Sequence, residues 1–353
     1  MKNKKSLIIV IPLILILIAA AFLIFREERT GSVVSYKEHH GIQEIDHYFT
    51  VEADQTKRIA FLKETVKKYF KAMEVHRAYQ DWMTQFGEFP QIFKEYTDYT
   101  AQYPNDPMFQ YLLGRVHNDA SAEKYYQSCL ELDPNYYWGH LGLAYYYFND
   151  CAPPKTDLAK EHLNKALGID KTKPHAYFSL LSIYRREKKS DKMLETLEIL
   201  TKFLPDRDYL FIDYADLKYP DRNDFKKALE RKLRDIPNSG MIKKALADML
   251  IVQGKTDEAL RYLESGLSDE KYNPALLRLM YYEIAGLYAK KKDVPKALSH
   301  IKDAVKNGYV DYASIKANKD FDFMRDHEEF KSLVKSLEPV KKEPPQPAPA
   351  KKK

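Results

Sequence analysis

The chain is 353 residues long, carries a net charge of +6 and contains 27 tyrosines, 12 glycines and 2 cysteines. That length holds one long or two ordinary domains, so core size is not limiting. The charge lies at the ends, +3 in residues 1–25 and +4 in residues 339–353, leaving a body of −1 without the basic stripe that nucleic-acid binding needs.

In chain order, the first element is the uncharged run at residues 7–25, which opens on Leu7 and closes on Phe25. At ~1.5 Å per residue its nineteen residues match the hydrocarbon core of a bilayer. Lys2, Lys4 and Lys5 precede it and Arg26 and Arg29 follow, so the charge rule sets the amino end inside. The expectation is a single-pass membrane protein with a cytoplasmic N-terminus and the rest periplasmic or extracellular. A cleaved signal peptide, cut near Ala19, Ala20 and Ala21, is the alternative.

Residues 26–53 show weak periodicity and read as a stalk. They hold "EHHGIQEIDH", where His39, His40, Glu44, Asp46 and His47 are metal-ligating types. Their spacing fixes no single helix face across Gly41, so neither metal nor cofactor is assigned. Residues 54–103 read as a helical cap or divergent repeat, with a helix or helix pair over 54–86.

Beyond this point the sequence repeats. Ten residues after Pro104, Pro134, Pro205 and Pro237 stand Gly114, Ala144, Ala215 and Ala247, each preceded by a large apolar residue. Leu181 and Ala285 occupy the same place in two further copies. Successive positions are 30, 37, 34, 32 and 38 residues apart. Ala259 and Ala297, each twelve residues after its partner, open second helices. Small residues let two helices approach closely, and proline stops the second before the next pair begins.

Residues 88–306 thereby resemble the tetratricopeptide repeat (TPR), a helix–turn–helix unit that stacks into an α-solenoid; "MIKKALADMLIVQGKTDEALRYLESGL" is the closest copy. The resemblance implies an all-α, TPR-like solenoid of about six repeats over 104–306. A C-terminal helical cap over 307–338 would close it through Phe330, Leu333, Val334 and Leu337. Residues 339–353, rich in proline and lysine, read as a disordered tail.

In "PNYYWGHLGLAYYYFND" two registers compete. Trp138, Leu141, Gly142 and Tyr145 match the family's W-x-x-L-G-x-x-Y, whereas the recurring prolines place Ala144 at the small position and are followed here. Trp138, Leu141, Tyr145 and Phe148 then share one face. In a TPR superhelix that face lines the groove that usually holds a partner peptide or helix. Equivalent offsets add Tyr111, Arg115, Phe178 and Arg185 as candidate groove residues, a ring-and-arginine composition suited to binding. Alternatively these rings pack between repeats, or the stalk folds back into the groove. The "YRREKKSDK" stretch reads as a solvated basic helix end, His140 as a packing residue facing the second helix, and Cys129 as core, with no bond to Cys151.

No phosphate loop, H-E-x-x-H, G-x-S-x-G or C-x-x-C occurs. The expectation is a non-enzymatic, membrane-tethered scaffold that binds a protein or peptide partner. The alternative is an accessory subunit of an envelope enzyme or export complex, docking through its outer faces.

Overall fold

The structure is a computed structural model that describes residues 40–117, 119–269, 273–309 and 311–338. Among these residues the chain is all-helical, and its helices pair in TPR-like fashion. No described helix is long and apolar enough to cross a membrane, which overturns the single-pass assignment and the sidedness built on it. The run at 7–25 that prompted it lies outside the described residues, as does the tail at 339–353.

The chain divides into two compact units, Met1–Leu210 and Phe211–Lys353. In the first unit, α1 (His40–Val51) and α2 (Gln55–Lys68) precede α3 (Met73–Gln85) and α4 (Phe89–Gln102). Then come α5 (Pro107–Val116), α6 (Ser121–Leu132), α7 (Tyr137–Tyr145), α8 (Thr156–Ile169), α9 (His175–Glu187) and α10 (Ser190–Phe203). Odd-numbered helices are the first of each pair. Starts are written locally: Asp54 and Asp106 accept the backbone N–H groups of Lys57 and Met108, and Pro107 opens α5.

The segment expected to be a stalk is structured from His40 onward. Ile42 and Ile45 of α1 are fully buried, Tyr48 stacks on Phe61 at 4.0 Å, and Phe49 meets Trp82 edge-on at 4.7 Å. Three apolar side chains at helical spacing give α1 a face that α2 and α3 cover.

α7 is buried on every side from Tyr137 to Ala144, which explains its all-round apolar sequence. Both competing registers have a structural cause. A Cβ on Gly142 or on Gly114 would run into the Tyr126 ring, so that ring of α6 lies between the two glycines. Ala144 and Ala159 are buried where α7 packs on its own second helix, α8. Past Tyr145 a π-turn (Tyr146–Asp150) leads into the enlarged loop before α8.

The second unit begins within α11 (Asp208–Lys218) and continues with α12 (Arg222–Asp235), α13 (Gly240–Val252), α14 (Thr256–Leu267), α15 (Pro274–Lys290) and α16 (Val294–Lys306). α17 (Tyr312–Ala317), a 3₁₀ turn (Lys319–Met324) and α18 (Glu328–Ser336) follow. Ala247, Ala259, Ala285 and Ala297 are all fully buried at the helix crossings. Phe321, Met324 and Phe330 are buried in the same core, with Leu333, Val334 and Leu337 half-buried against it. Turns inside pairs use left-handed residues: glycine at Gly254 (φ 74°), but lysine at Lys188 (φ 57°) and Lys292 (φ 60°).

Candidate functional site: a ring and arginine cluster on the first-helix face

The face shared by α3, α5, α7 and α9 gathers the predicted residues, together with four that the sequence reading passed over. Arg77, Gln80 and Asp81 of α3 are buried. Arg115 donates to Asp81 Oδ1 (2.8 Å) and Gln80 Oε1 (3.0 Å), and Gln80 donates to the Leu112 carbonyl (2.8 Å). Trp138 is wedged: the Arg77 guanidinium lies 4.4 Å over its ring, the Lys173 ammonium 5.1 Å away, and His175 meets it edge-on at 4.8 Å. Tyr111 adds a tilted contact at 5.7 Å.

Trp138 is therefore only 4% exposed, and Tyr111, Leu141 and Phe148 are also buried. The expectation that these rings line an open groove is corrected. The long Arg77 side chain reaches past α5 onto α7 and covers the indole. Arg115, Tyr145, Phe178 and Arg185 keep partial exposure. Tyr145 and Phe148 border a recess with Asn149, Ser179 and Ser182, but it has room for about one water rather than a ligand. Nor is the end of α9 simply solvated: Arg186 lies 3.9 Å over the Phe148 ring and donates to the Phe148 carbonyl at 3.2 Å.

Burial dominates the electrostatics. It pushes the Asp81 carboxyl up to about 7, against the pull of Arg115 and Arg77. Burial also disfavours the Arg115 cation, but Asp81 outweighs it and holds the guanidinium charged. Burial, helped by Arg77 and Lys173, keeps His175 neutral. Arg77 Nε and Nη1, Asp81 Oδ2 and both His175 ring nitrogens have no protein hydrogen-bond partner. Arg77 and Asp81 carried a readable signal, opposite charges one turn apart inside an apolar pattern; His175 carried none beyond following Pro174.

The second unit has its own polar cluster. Lys244 of α13 reaches Glu283 Oε1 at 2.6 Å and Asp248 at 2.9 Å. Burial, with Asp248 close by, pushes Glu283 up to about 8, so its carboxyl holds a proton at neutral pH.

Elsewhere, His140 Nδ1 lies 2.9 Å from His162 Nδ1 and its Nε2 lies 3.1 Å from the Pro134 carbonyl, which makes it a packing residue against α8. Cys129 is buried and Cys151 half-buried, both as free thiols. Glu44 is drawn away from the histidines to Lys68 (2.8 Å) and Tyr69 (2.7 Å). Among the described residues no group of three or more histidines, cysteines and acids is placed to hold a metal, and His39 lies outside them.

Two outer surfaces are apolar. Leu132, Ile169 and Phe203, the last residues of α6, α8 and α10, are 40%, 38% and 41% exposed. On α4, Phe89 and Phe93 are 38% and 37% exposed and continue through His117 to Tyr125 as a line of rings.

No family model matches the chain. Over 85 residues it is 33% identical to a chloroplastic protein of Arabidopsis thaliana, a stretch covering 24% of this chain and 25% of that protein. The chain thus matches about a quarter of that relative's length. Among solved structures it is similar to yeast Tom70, with a TM-score of 0.45 and 13% identity over 73% of this chain and 60% of that one. It is also similar to YrrB, described as a TPR protein with an unusual peptide-binding site: TM-score 0.33, 16% identity, 62% of this chain and all of that one. The helix-pair fold itself rests on the geometry given above.

Proposed function

We propose that this protein is a protein–protein interaction scaffold, acting by binding rather than catalysis, that docks its partner along an outer edge of the first unit. The observation that carries the reading is the row Leu132, Ile169 and Phe203. The same final position is occupied by an apolar residue in three consecutive second helices and by the polar Gln102 and Asp235 in α4 and α12. Such a row of apolar side chains suits the apolar stripe of a partner helix. Exposed apolar side chains cost stability in water unless something covers them. The reading is that of an accessory subunit using its outer face.

A second reading keeps the first-helix face, supported by the partial exposure of Arg115, Tyr145, Phe178 and Arg185; Tyr111, Trp138, Leu141 and Phe148 would then support that surface from beneath. Quantitative cross-linking from the native source separates the two. The triple variant Leu132→Ser, Ile169→Ser, Phe203→Ser is expected to lose the partner that wild-type protein captures, while Tyr145→Ala with Arg185→Ala keeps it. The reverse pattern would move the docking surface to the first-helix face, and retention by both variants would discard both surfaces.

A further inference from the structure

Helices α7 and α8 bring two imidazoles into direct contact. His140 Nδ1 stands 2.9 Å from His162 Nδ1, while His140 Nε2 lies 3.1 Å from the Pro134 carbonyl. A carbonyl only accepts, so the His140 proton sits on Nε2 and its Nδ1 turns a bare lone pair towards His162. Donation of the far N–H to a backbone carbonyl is the arrangement that orients a metal-ligating histidine. His140 is only 7% exposed and is held in place, whereas His162 is half-buried and opens the pair to solvent.

The spacing fits one ion. Two nitrogens each ~2.0–2.1 Å from a divalent ion stand roughly 2.8–3.4 Å apart as the angle between them opens from square-planar to tetrahedral. The observed 2.9 Å lies inside that window. With ring centroids 5.2 Å apart the two Nδ1 atoms point nearly at each other, so an ion is reached by a small swing of the half-buried His162 ring. The proton that His162 carries on Nδ1 passes through solvent to its Nε2, which leaves both rings neutral and the proton count unchanged. Neighbouring charges are already matched. Glu161 pairs with Lys165 at 2.7 Å, and Tyr147, its ring 5.7 Å from His162, donates to Glu123 at 2.8 Å. We propose that His140 and His162 form a two-histidine site for a divalent transition ion of the zinc or copper kind, with water completing its shell. Imidazole suits both ions, and two protein ligands make the ion exchangeable. Bound there, it would clip α7 to α8 within one helix pair. The inference does not depend on the partner-binding edge proposed above.

Zinc titrated calorimetrically into EDTA-treated full-length protein tests this. A site is expected whose affinity falls at least tenfold in His162→Gln and holds in His47→Gln, a change at an exposed histidine of α1. Circular dichroism checks that His162→Gln leaves helix content intact. A second readout needs no variant: zinc should slow the modification of His162 by diethyl pyrocarbonate at least fivefold in the wild-type protein, as mapped by mass spectrometry. Absence of zinc binding, binding that His162→Gln leaves unchanged, or His162 reactivity that zinc does not alter would each overturn the site and leave the pair as a hydrogen bond alone.

Discussion

The two units each hold a polar cluster on their first helices, buried in the first and half-buried in the second, and the two have opposite imbalance. In the first unit Arg77 and Arg115 face a single carboxyl, Asp81, and several donors and acceptors have no protein partner. In the second, one ammonium, Lys244, sits between two carboxyls, and a proton supplies the missing charge. A buried carboxyl can be neutralised by a proton at neutral pH, whereas a guanidinium cannot lose one. Excess arginine is therefore accommodated by ring contact, and here the ring is Trp138. The indole that the sequence offered as a binding residue serves as the platform for a buried cation.

The largest expected effect breaks that platform. Trp138→Ala should destabilise the first unit by about 3–5 kcal/mol, read as a drop in its urea midpoint, and not merely weaken partner capture. An unmoved midpoint would mean that the ring is dispensable for the fold. Next, Arg115→Met should cost about 3 kcal/mol by stranding Asp81, and adding Asp81→Leu should recover much of it. Failure of the second change to rescue the first would show that the two side chains act independently.

The pH response sharpens the comparison. The Asp81 carboxyl, at about 7, and that of Glu283, at about 8, lie above their ordinary values of 3.8 and 4.5. Between those limits the folded state holds protons that the unfolded state has released. The contribution of each carboxyl to stability should thus fall as pH rises from about 4 towards 7 for Asp81 and towards 8 for Glu283, by at most ~1.4 kcal/mol per pH unit for each group, while histidines that burial keeps neutral, such as His175, contribute a rise over the acid part of that range. Asp81→Asn and Glu283→Gln should each remove that contribution, so that wild-type stability falls relative to the variant as pH rises from 5 to 8; a difference between wild type and both variants that does not change with pH would sink the assignment of both protons. The smallest effect concerns the turns. Lys188→Gly in the first unit and Lys292→Gly in the second should each raise stability by about 0.5–1 kcal/mol, because both lysines hold a left-handed backbone that glycine adopts freely. Lowered thermal midpoints would show that the lysine side chains outweigh their backbone strain.

Much of the architecture was legible from local spacing. The alanines at 247, 259, 285 and 297 lie at buried crossings, and both registers proposed around Trp138 find a physical cause, Gly142 against Tyr126 and Ala144 against α8. α1 escaped notice because three apolar residues, Ile42, Ile45 and Phe49, are a thin signal beside charged neighbours. The exposure of Tyr111, Trp138, Leu141 and Phe148 was misread for a different reason. Periodicity tells which residues share a side of a helix, but not whether a side chain from another helix lies on top of them.

What the amino-acid order determined by itself is the alternation of paired helices, with small residues at crossings and prolines between pairs. Each of those features acts over a few residues, through close approach or a missing N–H. Whether a ring faces solvent is decided by long-range packing. Arg77 stands 61 positions before Trp138 in the sequence and reaches it only after α3, α5 and α7 have come together. For the same reason the exposed edge at Leu132, Ile169 and Phe203 looks like ordinary core spacing until the stacked pairs leave it uncovered.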